Sequence, residues 1–205
     1  MRLKLPLLTL CAIISLNWIA YGQSSGTVTA APSGHVPTYT ADGRMKPPLD
    51  YREWIYLSSG LDMSYSPRAK SMAHHSMFDN VFVNPEAYLT FKATGHWPNK
   101  TGMVLEIRAA ESNGSINKAG HFQGEVMGAE VHVRDDARGG WAFYSFDGPG
   151  PGKLFPKEAA CYSCHRDHGA VDTTFVQFYP TLLPIANQKR TLSPEYVNEG
   201  AQPQK

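Results

Sequence analysis

Three stretches in the second half of the chain alternate apolar and polar residues with a period of two, the signature of half-buried strands. In the first, Met103, Leu105, Ile107 and Ala109 face one way and Val104, Glu106 and Arg108 the other. In the second, Val126 to Asp135, an apolar face of Met127, Ala129, Val131 and Val133 opposes Glu130, His132 and Arg134. The third, Gly140 to Asp147, carries Trp141, Phe143, Tyr144 and Phe146 between Gly139-Gly140 and a Gly148-Pro149-Gly150-Pro151-Gly152 turn. Asn80 to Val83 is a shorter strand candidate. Directly after it, Asn84-Pro85-Glu86 predicts a helix start: a capping residue, proline at the first helical position, and a carboxylate at the positive end of the dipole. Ala87, Tyr88, Phe91 and Ala93 continue that helix and Gly95 stops it. No helical crossover separates the later strands. The pattern therefore predicts an antiparallel sheet with flanking helices, an α+β fold.

Further elements surround the sheet. Asp50-Tyr51-Arg52-Glu53-Trp54 predicts a capped helix running to about Ser58. Pro156 predicts the start of a helix near the C-terminus. Asp172 is expected to cap a last helix bearing Phe175, Val176, Phe178 and Tyr179, until Pro180 disturbs it. Residues 23–48, rich in Ser, Gly, Thr, Ala and Pro, read as a flexible leader. Residues 187–205 read as a polar tail, which leaves 49–186 as the folded domain. His74 and His75 fall in a polar loop, where adjacent histidines are more often solvated than ligands.

Residues 1–22 read as a secretory signal peptide. Arg2 and Lys4 form the basic start, Leu5 to Leu16 the apolar run, and Ala20-Tyr21-Gly22 the small residues before cleavage. Asn17 ends the run short of the ~20 residues a membrane-spanning helix needs. The expectation is an exported, periplasmic protein without a membrane anchor once the signal is removed. The 205-residue length suits one domain with a real core. The formal charge of +1 offers no basic field for nucleic acid.

Of the three cysteines, Cys11 leaves with the signal, and the other two lie in Cys161-Tyr162-Ser163-Cys164-His165. The form C-x-x-C-H reads as the attachment site of a c-type haem. Cysteines three apart lie on one face of a helix, where each thiol can bond a haem vinyl group, and the adjacent imidazole of His165 can reach the iron. The rival readings are a redox dithiol and half of a zinc site. A zinc site wants about four ligands and the chain has no second cysteine pair. A thioredoxin-like dithiol belongs near a βαβ pattern in a cytosolic protein, and neither condition is met. The expected cofactor is one covalently attached haem c per chain, with His165 as the metal ligand. No methionine follows His165. The commonest second ligand of electron-transfer cytochromes is thus missing downstream. An upstream Met or His remains able to reach the iron, but the pattern favours an open position for small molecules.

The order of these blocks resembles the cytochrome P-460 family and its relative cytochrome c′-beta. The resemblance runs from about Tyr51 to Leu182 and rests on Tyr51-Arg52-Glu53-Trp54, Val83-Asn84-Pro85-Glu86-Ala87-Tyr88, Thr94-Gly95, Gly128-Ala129-Glu130, Gly140-Trp141-Ala142-Phe143-Tyr144, the haem motif and Phe178-Tyr179-Pro180. It implies a two-fold homodimer, a five-coordinate haem with His165 as proximal ligand, and chemistry on nitric oxide or hydroxylamine. Members that oxidise hydroxylamine carry a lysine cross-linked to the haem, just before a glutamate on the first long strand. That position is Leu105, beside Glu106, and leucine has no nitrogen with which to form the link. The carboxylate that moves protons in such members matches Glu130.

A glutamate on a strand face is ordinarily a solvated surface charge. The resemblance turns Glu130 into a candidate catalytic group, an acid whose pKa would rise if it faces an apolar pocket beside Leu105. Three functions follow. The favoured one is a cytochrome that binds or redox-processes a small nitrogen compound such as nitric oxide. The others are a hydroxylamine-oxidising enzyme making nitrous oxide and a plain electron-transfer cytochrome with a redox partner protein.

Overall fold

The computed structural model describes residues 35–63 and 76–200. The expected signal peptide, the first part of the expected leader, and His74 and His75 lie outside the described residues. Six strands form one sheet in strict sequence order: β1 (Ile55–Leu61), β2 (Met77–Val83), β3 (Gly102–Glu111), β4 (Phe122–Asp135), β5 (Gly140–Phe146) and β6 (Lys153–Leu154). Every neighbouring pair is antiparallel. Helix α1 (Pro85–Thr94) sits between β2 and β3, while α2 (Ala160–His168), α3 (Leu183–Lys189) and α4 (Pro194–Gly200) follow the sheet. The α+β fold is as expected, with the cysteines and His165 on α2. No helix among the described residues is long and apolar enough to cross a membrane.

Register explains how the sheet is used. Val83, Met103, His132 and Phe143 pair in succession across four strands, and Val81, Leu105, Glu130 and Ser145 form the next such row. Both rows lie on one face. The intervening row, Phe82, Val104, Val131 and Tyr144, lies on the other. Both faces are covered. On the first, Val83 and Met103 pack with Ala87 and Phe91 of α1, with Trp97, and with Val171, Val176, Tyr179, Leu182 and Ala186 from the C-terminal segment. On the second, Val104, Val131, Val133, Tyr144 and Phe146 pack against Met45 and Trp54, with Tyr39 and Tyr51 beside them. Each large side chain so removed from water contributes about 1.5–3 kcal/mol.

Several local expectations change. Asp50 makes no side-chain cap, and Tyr51–Glu53 form only one 3-10 turn before the chain extends into β1. Asp50 instead bonds Trp54 Nε1 at 3.3 Å, and Trp54 is buried against the sheet. Burial of the aromatic wins over helix propagation. The described part of the leader segment is built into the fold, since Tyr39 bridges to Met45 and Met45 is fully buried. Pro156 opens a pair of turns, and α2 starts at Ala160. Asp172 caps no helix. It adopts positive φ, accepts Trp97 N–H at 2.9 Å and faces His96 Nδ1 at 3.1 Å. The residues after it give a 3-10 turn, Val176–Phe178. The segment read as a polar tail includes α4, whose Tyr196 packs on the first core.

The faces of β3 and β4 are the main correction. The apolar residues of β3, Met103 and Leu105, share a face with the polar residues of β4, Glu130 and His132. Val131 and Val133 look the other way, toward Val104 and Met45. The apparent solvent face of β4 is therefore a wall of the first layer. Glu106, on the second face, is buried in a polar cluster: Arg108 Nε donates at 2.6 Å and Asn80 at 3.3 Å, and Tyr51 and Arg52 close on its other oxygen.

Candidate functional site

α2 lies over the first face of the sheet and encloses a cavity of about 250 Å³. The sheet supplies Val81, Met103, Leu105, Glu130, His132 and Phe143; α2 and the segment after it supply Cys161, Cys164, His165, Phe175 and Tyr179. Three larger clefts, of about 450, 410 and 710 Å³, contain none of Cys161, Cys164 and His165. The smaller cavity is the candidate site, because the thiols, the imidazole and a carboxylate meet there.

His165 is held by its backbone surroundings. Its Nδ1 sits 2.8 Å from the Thr173 carbonyl oxygen. A carbonyl only accepts, so the proton is on Nδ1 and Nε2 keeps its lone pair, the arrangement of a metal-ligating histidine with a second partner behind it. Burial pushes the His165 pKa down, against the raising effect of that hydrogen bond. A neutral imidazole is the ligand form. The Thr173 carbonyl is presented by a turn in which Asp172 and Thr173 both have positive φ and Val171 bridges to Thr174. Trp97 Nε1 donates to Thr174 Oγ1 at 2.8 Å and fastens the turn to the core. Gly169 makes the approach possible: a Cβ there would stand 2.5 Å from the His165 carbonyl oxygen and 2.8 Å from the Thr173 carbonyl carbon.

Cys161 and Cys164 are free and half-buried. Burial raises both thiols, with Glu130 adding to the effect at Cys161 and Asp167 at Cys164. Reactive redox dithiols have the opposite shift. Among the described residues, no group of three or more His, Cys, Asp and Glu could hold a metal ion, which leaves the zinc reading without its other ligands.

Glu130 is half-buried in the cavity wall, directly opposite Leu105. Burial raises its pKa, and the charge of Asp79 on β2 raises it further. His132 is buried next to His165, and its pKa is held well below the ordinary value, first by burial and then by the charges of His165 and Lys157. Its Nε2 has no hydrogen-bond partner among the described residues. All five residues singled out from sequence, Cys161, Cys164, His165, Leu105 and Glu130, come together in this one cavity. Sequence reasoning missed His132, Met103, Phe143 and Thr173. The spacing of two between Glu130 and His132 was the available signal for the first.

An apolar cavity holding paired thiols, a neutral imidazole with a free Nε2 and an unsatisfied buried nitrogen fits a haem. The family model for cytochrome P460 matches residues 48–176, and the chain belongs to that family. No curated protein matches it.

Proposed function

We propose that this protein is an exported mono-haem c-type cytochrome that binds or redox-processes small nitrogen compounds such as nitric oxide. The observation that carries this reading is that Cys161, Cys164, His165 and Glu130 line one apolar cavity. Cys161 and Cys164 would hold the haem by thioethers, and His165 Nε2 would ligate its iron. When bound, the haem supplies a redox-active metal able to take a small ligand. Thr173 orients His165, Leu105 and Val81 exclude water, and Glu130 stores and releases a proton at its carboxyl group. A two-fold dimer belongs to the same reading, and sedimentation of the mature protein tests it.

Mass spectrometry of the exported chain is the direct test. The added mass of one haem, lost in a variant with both Cys161→Ala and Cys164→Ala, is expected; a mature chain without that mass overturns the reading. Hydroxylamine oxidation is the second reading, favoured by the position of Glu130. Leu105 opposes it, since it supplies no nitrogen for a cross-link to the macrocycle. Nitrous oxide formed from hydroxylamine with an artificial electron acceptor would promote it.

A further inference from the structure

His132 Nε2 is a buried side-chain atom of this cavity with no hydrogen-bond partner among the described residues. The His132 ring stacks on Phe143 at a centroid distance of 4.0 Å, lies 4.3 Å from Trp141 and meets the His165 ring edge-on at 4.8 Å. A phenyl ring would make the same stack. An imidazole nitrogen buried without a partner costs about 1–3 kcal/mol. Packing therefore does not account for histidine at this position, but an occupant with a polar atom does.

A haem has two kinds of polar atom for a side chain to meet. One is the pair of propionate carboxylates on its rim, and the other is a ligand on the iron face opposite His165. The His132 ring meets the ring of His165 itself, the residue that would hold the iron, so it would stand on the same side of a bound haem as His165 and away from a ligand on the other side. The carboxylates remain. Lys157 strengthens the case: its ammonium, bonded to the Trp141 carbonyl at 2.6 Å, acts on His132 and adds a positive field. We propose that His132 Nε2–H donates a hydrogen bond to a haem propionate and so anchors the rim of the cofactor. This rests on the haem reading above. It does not depend on the charge of His132, because the neutral Nε2–H tautomer and the protonated imidazole both carry a proton on Nε2.

The full chain, exported and haem-loaded, provides the test through His132→Phe and His132→Gln. Phenylalanine keeps the stack and removes the donor; glutamine places an N–H near the Nε2 position. The propionate bands in the resonance Raman spectrum of His132→Phe should shift and its reduction potential should fall, because an uncompensated carboxylate favours ferric iron. His132→Gln should keep both close to wild type. Wild-type bands and potential in His132→Phe would overturn the proposal. Should His132→Phe fail to load haem, the haem-loaded wild-type structure decides. Nε2 within about 3.2 Å of a propionate oxygen supports the bond, and a gap beyond about 3.5 Å overturns it. A wild-type protein with no haem mass would instead overturn the haem reading, a distinguishable failure.

Discussion

Leu105 and Glu130 stand directly opposite each other on β3 and β4, so a carboxyl group shares the cavity wall with an aliphatic side chain. Burial and the charge of Asp79 raise the Glu130 pKa. Between its unfolded and folded pKa values the folded chain then binds more protons than the unfolded one, and stability falls as pH rises. Thermal melts of the wild type should show that fall as pH climbs through the folded pKa, and Glu130→Gln should remove it. The same variant should slow turnover of a nitrogenous ligand without releasing haem; unchanged kinetics would take Glu130 out of the chemistry.

Glu106 has the opposite sign. Burial would raise its carboxyl group, but bonds from Arg108 and Tyr51 and the charge of Arg52 outweigh burial and lower it. Its contribution to stability is present above the unfolded carboxylate pKa and is lost as pH falls through the folded value. Glu106→Ala leaves Arg108 facing an empty site and should cost about 3 kcal/mol by urea titration at pH 7. The penalty should shrink in acid.

Gly169→Ala should weaken the support of His165. The added Cβ collides with backbone on both sides, so the Thr173 carbonyl must move off Nδ1. We expect a loss of about 1–3 kcal/mol, with a change in the visible spectrum of the haem-loaded protein. A spectrum identical to wild type would show that the carbonyl does not hold the ring.

Phe91 and Trp97 are both fully buried, with ring centroids 4.3 Å apart, between α1 and the turn that carries Thr173. Phe91→Ala should cost about 3–5 kcal/mol in chemical denaturation.

Much of the cavity's lining could be read from residues alone, because the C-x-x-C-H motif at Cys161, Cys164 and His165 is local and its spacing has a chemical reason. The strands from β2 to β5 were also readable, since alternation records burial on a face. Alternation does not say which face of one strand meets which face of the next. Glu130 and His132 fall on the polar face of their own strand, opposite Val131 and Val133, whereas register puts them beside Leu105 and Met103. The Asp172 turn was unreadable for a related reason. Its carboxylate serves Trp97, 75 positions away in the chain, and not the helix that local rules assign to it.

Each strand of this sheet pairs with the one synthesised just before it. Such a ladder needs only short closures between successive rungs, the kind of topology that assembles readily. The strands from β2 to β5 that wall one side of the cavity thus precede the thiol-bearing helix in the chain, and their pairing borrows no residue from it.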